Sequence, residues 1–95
     1  MNKNLILNYL RENLLEFKEN YSVEKIGVFG SFARDEATAD SDIDIFVNMK
    51  PSLFDMVAVK NRIENDLNIK VDLIREHKNM RPFLLKMIKK DLIYA

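Results

Sequence analysis

Residues 30–47 read GSFARDEATADSDIDIFV, and the second half of this stretch is the clearest structural signal in the chain. In residues 42–48 apolar and polar side chains alternate, which predicts a β-strand. One face of this strand carries isoleucine and valine and should pack against a core. The other face carries Asp42 and Asp44, followed by Phe46. We therefore expect a strand with one packed face and one charged face.

The segments on either side divide into elements by the spacing of their apolar residues. Spacings of three and four predict amphipathic helices, and short β-branched runs predict strands. Those segments are a helix at 4–19, a strand at 23–29, a single helical turn at 31–35, a helix from the N-cap Ser52 to Asn68, a strand at 69–74 and a helix that begins at Pro82 and includes Leu92. The sequence therefore predicts an α/β (α+β) fold in the order α-β-α(short)-β-α-β-α, with a three-stranded mixed core sheet covered by helices.

The composition is that of a globular chain. Hydrophobic residues make up 47% and charged residues 32% of the 95 residues, so we predict one domain spanning residues 1–95. Fifteen basic residues balance fifteen acidic ones. With no overall positive field, we expect no direct nucleic-acid binding.

The residue usage also bears on the compartment. Cysteine is absent, which excludes disulfides and thiolate metal sites and fits a reducing interior. The N-terminal apolar run is too short for a signal peptide and is followed by Arg11 and Glu12. No stretch approaches the roughly 20 apolar residues of a membrane span. We therefore predict a cytoplasmic protein that does not enter a membrane.

Asp42 and Asp44 have the spacing of a metal-binding pair. Carboxylates at positions i and i+2 of a strand share one face, with Cα atoms about 6.5 to 7 Å apart, so both can reach one ion. Aspartate is disfavoured in strands, yet both residues begin a strongly apolar one. An exposed strand edge could also carry the pair without any function, and this alternative stays open.

A third aspartate, Asp72, interrupts IKVDLI, which is otherwise suited to burial. If this strand neighbours residues 42–48, three negative charges converge, and their repulsion would raise at least one carboxylate pKa. Magnesium relieves such repulsion, because it prefers carboxylate oxygens and leaves positions for water and substrate phosphates. The three aspartates are therefore candidate metal ligands, and a surface strand position is the alternative for Asp72.

Gly30 and Ser31 lie at a strand end before a helical turn. The free backbone N–H groups at such a turn can receive phosphate oxygens. A plain turn is the alternative interpretation. The position of this Gly-Ser pair upstream of the aspartates favours the phosphate-binding interpretation.

Together, residues 30–47 resemble the signature of the DNA polymerase β-like nucleotidyltransferase superfamily, in which a Gly-Ser turn precedes an Asp-x-Asp pair. The chain is particularly similar to minimal nucleotidyltransferase (MNT) proteins, whose genes commonly pair with genes for HEPN-domain proteins as antitoxin and toxin. The similarity extends over almost the whole chain, including KVDLI and the closing PFLLKMIKKDLIYA.

The resemblance implies a role for each matching residue. Gly30 and Ser31 would hold the triphosphate of ATP. Asp42 and Asp44 would ligate two magnesium ions. Asp72 would complete the shell of the catalytic ion and help the acceptor hydroxyl to lose its proton. The predicted catalytic and metal-binding residues are thus Asp42, Asp44 and Asp72.

Two further positions are compared with the family pattern. Arg34 matches the arginine of Gly-Ser-x-Ala-Arg, and it would bind phosphate or form an ion pair with an aspartate of the site. Asp35 stands where most relatives carry glycine. An aspartate tolerates positive φ less well and brings negative charge beside the phosphate turn, so it would either weaken ATP binding or point into solvent.

The implied reaction is transfer of AMP from ATP to a hydroxyl, with loss of pyrophosphate and two magnesium ions at the site. Three strands and their helices leave no residues for an acceptor-binding lobe, so we expect another protein or a second copy of the chain to hold the acceptor, in a hetero- or homo-oligomer. The MNT resemblance suggests that the partner is a HEPN-domain ribonuclease. The chain would modify this partner on a hydroxyl, that of a tyrosine, and thereby inactivate it.

Two alternatives belong to other classes of function. The chain could be a catalytically weak or inactive binding module that neutralises a HEPN partner by forming a complex, an idea motivated by Asp35. It could also transfer AMP to a small molecule such as an aminoglycoside, although no residues remain to build that pocket. The single histidine, His77, and the basic residues after position 74 are interpreted as solvated, with docking of an acidic partner as the alternative for the basic surface.

Overall fold

The predicted alternation of helices and strands is present in a computed structural model that describes all 95 residues. Each strand prediction of the sequence falls on an observed strand, and β1 has the predicted bounds. The elements are α1 (Lys3–Tyr21), β1 (Val23–Phe29), α2 (Gly30–Ala33), β2 (Ile43–Met49), α3 (Leu53–Leu67), β3 (Val71–Arg75), α4 (Pro82–Asp91) and β4 (Ile93–Tyr94).

The sheet is mixed, with the strand order β3-β2-β1-β4. Strand β2 runs antiparallel to β1 and parallel to β3, and β4 pairs antiparallel with β1. The mixed sheet and the α+β class are therefore confirmed, but the predicted strand count of three is wrong. The last helix ends at Asp91 because Leu92 adopts an extended conformation (φ −64°, ψ 129°), and the chain then forms the short strand β4.

The main hydrophobic core lies on one face of the sheet, between the strands and helices α1 and α3. Its 16 buried residues include Ile43, Ile45 and Val47 of β2, each with no exposed surface. Leu10 and Phe17 of α1 and Val59 and Ile63 of α3 are buried in the same cluster. The apolar face of β2 thus packs as its alternation predicts.

The opposite face of β2 is not purely charged. Phe46 is completely buried there, and its ring lies edge-on to that of Phe29 with 6.3 Å between centroids. Neither Phe46 nor the buried Ile88 of α4 belongs to the main core cluster. Helix α4 packs against β1 and α2, and Asp44 on this second face of the sheet remains partly exposed.

The helix ends follow the predicted capping residues. The Ser52 side chain accepts a hydrogen bond from the N–H of Asp55, and Asn68 ends α3 in the left-handed conformation. Pro82 occupies the first turn of α4, as predicted. None of the helices combines the length and the apolar character needed to cross a bilayer.

Candidate functional site

Three strand ends meet at one edge of the sheet. Strand β1 ends where the antiparallel strand β2 begins, so Phe29 pairs with Asp44. Strand β3 runs parallel to β2, and Asp44 pairs with Asp72 across that ladder. Since directly opposite residues of neighbouring strands project to the same face, the carboxylates of Asp44 and Asp72 lie side by side.

Asp42 completes this group from the residue just before β2. Asp42 and Asp72 are exposed, whereas Asp44 is half-buried. Burial raises the pKa of Asp44 above its ordinary value, and the negative charges of Asp72 and then Asp42 raise it further. The mutual repulsion expected from the sequence therefore falls on Asp44. We call these three residues the aspartate cluster.

The aspartate cluster is not a ready-made metal site, because no three His, Cys, Asp or Glu side chains are arranged to hold a metal ion. The carboxylates thus share a face without converging on one point, as expected for like charges. Their chemistry nevertheless fits magnesium, because all three donors are carboxylates. A cation would also relieve the electrostatic repulsion at Asp44.

Gly30 packs directly against the aspartate cluster. Its φ is +73°, a conformation that favours glycine. A Cβ atom at this position would lie 3.0 Å from Cγ of Asp44 and closer still to one carboxylate oxygen. The glycine is therefore needed both for the backbone conformation of the turn and for the space that Asp44 occupies.

Ser31 follows in the single turn of α2. Phe29, which precedes this turn, provides no side-chain cap for its first N–H groups. Behind the turn, Phe32 and Ala33 are buried and fix α2 to the core. The turn is therefore fixed in place beside Asp44.

Arg34 forms ion pairs, but with carboxylates outside the aspartate cluster. Its Nη1 donates to Asp91 of α4 at 2.8 Å, and its Nε donates to Glu36 at 3.0 Å. The expectation of an ion pair with an aspartate of the site is thus wrong in the identity of the partner. Asp91 was not among the predicted site residues, although an acidic residue is disfavoured at the C-terminal end of a helix.

Asp35 has the positive φ that the family pattern implies, at 59°. Its carboxylate turns towards α1 and lies 3.1 Å from Nζ of Lys3, with 66% of the side chain exposed. Of the two outcomes expected for this departure from glycine, the structure favours the outward-pointing side chain. Asp35 does not place its charge on the Gly30 turn.

The conformation of Asp35 leads to a stability prediction. We expect Asp35→Ala to lower the free energy of unfolding by about 1 to 2 kcal/mol, because alanine tolerates positive φ poorly and the ion pair with Lys3 is lost. Asp35→Gly should stay within about 0.5 kcal/mol of the parent, since relief of strain offsets the lost ion pair. Urea unfolding measures both variants. Equal stability of the alanine and glycine variants would contradict the strained conformation.

The raised pKa of Asp44 leads to a second prediction. Ionised Asp44 destabilises the fold, and this cost is absent below the ordinary carboxylate value of 3.8 and grows as the pH rises through the raised pKa. Without divalent cations, Asp44→Asn should therefore melt at a higher temperature than the parent at neutral pH. The difference should vanish in acid.

Thermal melts across pH test this prediction, with Asp40→Asn as the matched control, because Asp40 is an exposed loop carboxylate outside the cluster. The control should not raise the melting temperature. If the higher melting temperature of Asp44→Asn persists unchanged at a pH below the ordinary carboxylate pKa, the negative charge of Asp44 is not its cause.

The remaining polar features are peripheral to the aspartate cluster. His77 is exposed, and its Nδ1 accepts from the N–H of Asn79 at 3.2 Å, as suits a loop residue. The basic side chains of α4 are exposed, and only Lys89 among them lies near a carboxylate, 3.7 Å from Glu76. These observations agree with the solvated interpretation and leave the outer face of α4 positively charged.

Comparisons with known proteins identify the family and the fold. A family model described as the nucleotidyltransferase domain matches residues 10–95. The chain is 44% identical over 87 residues to a candidate protein adenylyltransferase of Methanocaldococcus jannaschii, and the match covers 90% of this chain and 89% of that protein.

Two solved structures share the fold. One is described as a minimal nucleotidyltransferase; it has a TM-score of 0.78 and 29% identity, and the match covers 98% of this chain and 95% of that chain. The other is a complex of a tri-AMPylated HEPN toxin of Shewanella oneidensis with an MNT antitoxin. It matches with a TM-score of 0.59 and 20% identity over 97% of this chain and 66% of that chain, so its likeness is one of fold alone.

Proposed function

Because the chain belongs to the nucleotidyltransferase domain family, we propose that it transfers AMP from ATP to a hydroxyl of a partner protein. The observation that carries this proposal is the strand register, which sets Asp44 opposite Asp72 on the face where Gly30 turns. An adenylyltransferase needs carboxylates and a phosphate turn at one place. We take residues 1–95 as one domain for this reaction.

The proposed reaction is a direct displacement at phosphorus. The acceptor oxygen forms a bond to the α-phosphorus of ATP while the bond from that phosphorus to the bridging oxygen of the β-phosphate breaks, and pyrophosphate leaves. The proton of the acceptor hydroxyl passes to Asp72, whose exposed carboxylate is accessible to an acceptor. Gly30 and Ser31 hold the terminal phosphates through backbone N–H groups and the hydroxyl.

Asp42, Asp44 and Asp72 would hold two magnesium ions. When bound, these ions neutralise charge on the phosphates and on the attacking and leaving oxygens. Of the three carboxylates, Asp44 would be stabilised most by a nearby cation, because it is half-buried beside the other two. We therefore expect magnesium to raise the melting temperature of the parent.

We propose that the acceptor is a HEPN-domain protein and that the pair acts as toxin and antitoxin in the cytoplasm. Support comes from the MNT antitoxin among the proteins that share the fold, and from large apolar side chains that are exposed on two helices. On α3, Leu53 and Phe54 are 77% and 83% exposed, and on α4 Phe83 is 73% exposed. Unpaired lysines beside Phe83 suit an acidic partner.

The alternative of an inactive binding module loses its motivation from Asp35, because that side chain points to Lys3 and not to the phosphate turn. Exposed apolar surface suits a binding module and an enzyme that docks its acceptor equally well. The intact aspartate cluster favours the enzyme. Neutralisation of a HEPN partner that survives loss of all three carboxylates would favour the module instead.

The test is incubation of the purified chain with a HEPN-domain partner, magnesium and ATP labelled on the α-phosphate. We expect label and the mass of AMP to appear on the partner. ATP labelled on the γ-phosphate is the control and should leave the partner unlabelled, because pyrophosphate departs. Label from the γ-phosphate would indicate a kinase instead, and no label from either would refute the proposed transfer.

A further inference from the structure

Asp91 is the least expected carboxylate near the site. It is the last residue of α4, where the negative end of the helix dipole disfavours an acidic side chain. The two residues before it are lysines, which suit a helix C-terminus, so the aspartate departs from the local pattern. Its side chain is only 17% exposed, and it accepts the 2.8 Å hydrogen bond from Nη1 of Arg34.

The backbone around Asp91 is fixed on both sides. Upstream, α4 is anchored by the buried Ile88. Downstream, Ile93 and Tyr94 pair with Val28 and Gly27 of β1. The carboxylate is therefore presented from a rigid position, 57 residues away in sequence from its partner.

Arg34 is joined to the phosphate turn through its own backbone. Its N–H donates to the carbonyl of Gly30 at 3.1 Å, so Arg34 and Gly30 belong to one hydrogen-bonded turn. Burial and the charges of Asp72 and Asp42 raise the pKa of Asp44, and the positive charge of Arg34 offsets a small part of that rise. The guanidinium thus lies close enough to influence the aspartate cluster.

We propose that Asp91 is a positioning residue for Arg34: its carboxylate holds the guanidinium beside the Gly30 turn, ready to contact the phosphates of ATP. A long arginine side chain otherwise samples many rotamers, and ordering it on binding costs affinity. A second carboxylate, Glu36, also accepts from Arg34, but its side chain is 66% exposed and lies two residues away on the same loop. Glu36 therefore moves together with Arg34, whereas the hydrogen bond from Arg34 to Asp91 connects the arginine to α4.

This inference rests on the proposed ATP site, and its test measures binding alone. The probe is a non-hydrolysable ATP analogue with excess magnesium, titrated calorimetrically into the full chain. We expect Asp91→Asn to weaken binding about three- to tenfold, the loss that follows from freeing one long side chain. Asp91→Glu should recover part of the affinity, and Glu36→Gln, the matched control, should change it less than about twofold.

A double-mutant cycle separates positioning from a general structural role. In the Arg34→Gln background, Asp91→Asn should have no further effect on affinity, because Asp91 acts through Arg34. Asp91→Ser replaces the asparagine variant if the latter folds poorly. Unchanged or tighter binding by Asp91→Asn, or an equal loss in the Arg34→Gln background, would overturn the inference. Failure of the unmodified chain to bind the analogue would instead refute the ATP site itself.

Discussion

Replacing Asp42 and Asp44 together by asparagine should lower the rate of AMP transfer by about a thousandfold or more. Each substitution removes a negative charge that would hold magnesium. Stabilisation of the transition state by the metal is worth several kcal/mol, and each 1.36 kcal/mol corresponds to a tenfold change in rate. The measurement is single-turnover transfer of α-labelled AMP to the partner protein. Asparagine keeps the shape of both side chains, so the fold should persist.

The control for this variant is again Asp40→Asn, which removes a carboxylate of the same surface region without touching the cluster. Its transfer rate should equal that of the parent. Binding of the partner protein should be unchanged in both variants, because the cluster is proposed to serve the chemistry. A double variant that retains a tenth or more of the parent rate would contradict the assigned role of the aspartate cluster.

Gly30→Ala should have the second largest effect, a loss of about a hundredfold in transfer rate. The new methyl group would lie 3.0 Å from Cγ of Asp44, which is too close for the present position of that carboxylate. Asp44 must then move, and a displacement of about 1 Å at a reacting centre can cost about that factor. The positive φ adds about 1 to 3 kcal/mol of strain to the folded state.

Gly27→Ala is the matched control for the loss of stability. A Cβ atom there would lie 2.6 Å from the carbonyl oxygen of Ile93, so this variant disturbs the pairing of β1 with β4 and not the aspartate cluster. Both glycine variants should melt at lower temperature. Gly30→Ala should lose about a hundredfold in activity per folded molecule, whereas Gly27→Ala should lose less than about tenfold, because Gly27 affects the site only through the backbone that positions Asp91. Equal losses per folded molecule by both variants would contradict a direct role of Gly30 in the site.

Local patterns in the sequence were sufficient for most of the fold. Strand β1 depends on a short apolar run and the start of α3 on the single N-cap Ser52, and both were predicted correctly. Strand β4 was missed because two residues, Ile93 and Tyr94, have no periodicity of their own and become a strand only through their pairing with β1. The burial of Phe46 was missed for a related reason, since it depends on contacts with residues distant in the sequence, such as the edge-on contact with Phe29.

In the site, too, features that follow from local patterns could be predicted, and contacts between distant segments could not. The register that aligns Asp44 with Asp72 could be expected, because both carboxylates interrupt apolar strands and share a face when those strands are neighbours. The partner of Arg34 could not, because Asp91 reaches it only through the path of α4 across the sheet. The family resemblance suggested which residues matter, whereas contacts between distant segments set their actual neighbours.

We propose that ATP and magnesium bind where the aspartate cluster meets the Gly30 turn. The most direct measurement is an amide NMR spectrum of the chain with a non-hydrolysable ATP analogue, titrated with paramagnetic manganese in place of magnesium. We expect the signals of Gly30, Ser31, Asp42, Asp44 and Asp72 to broaden first and together. Broadening that begins elsewhere in the chain while these signals remain sharp would contradict it.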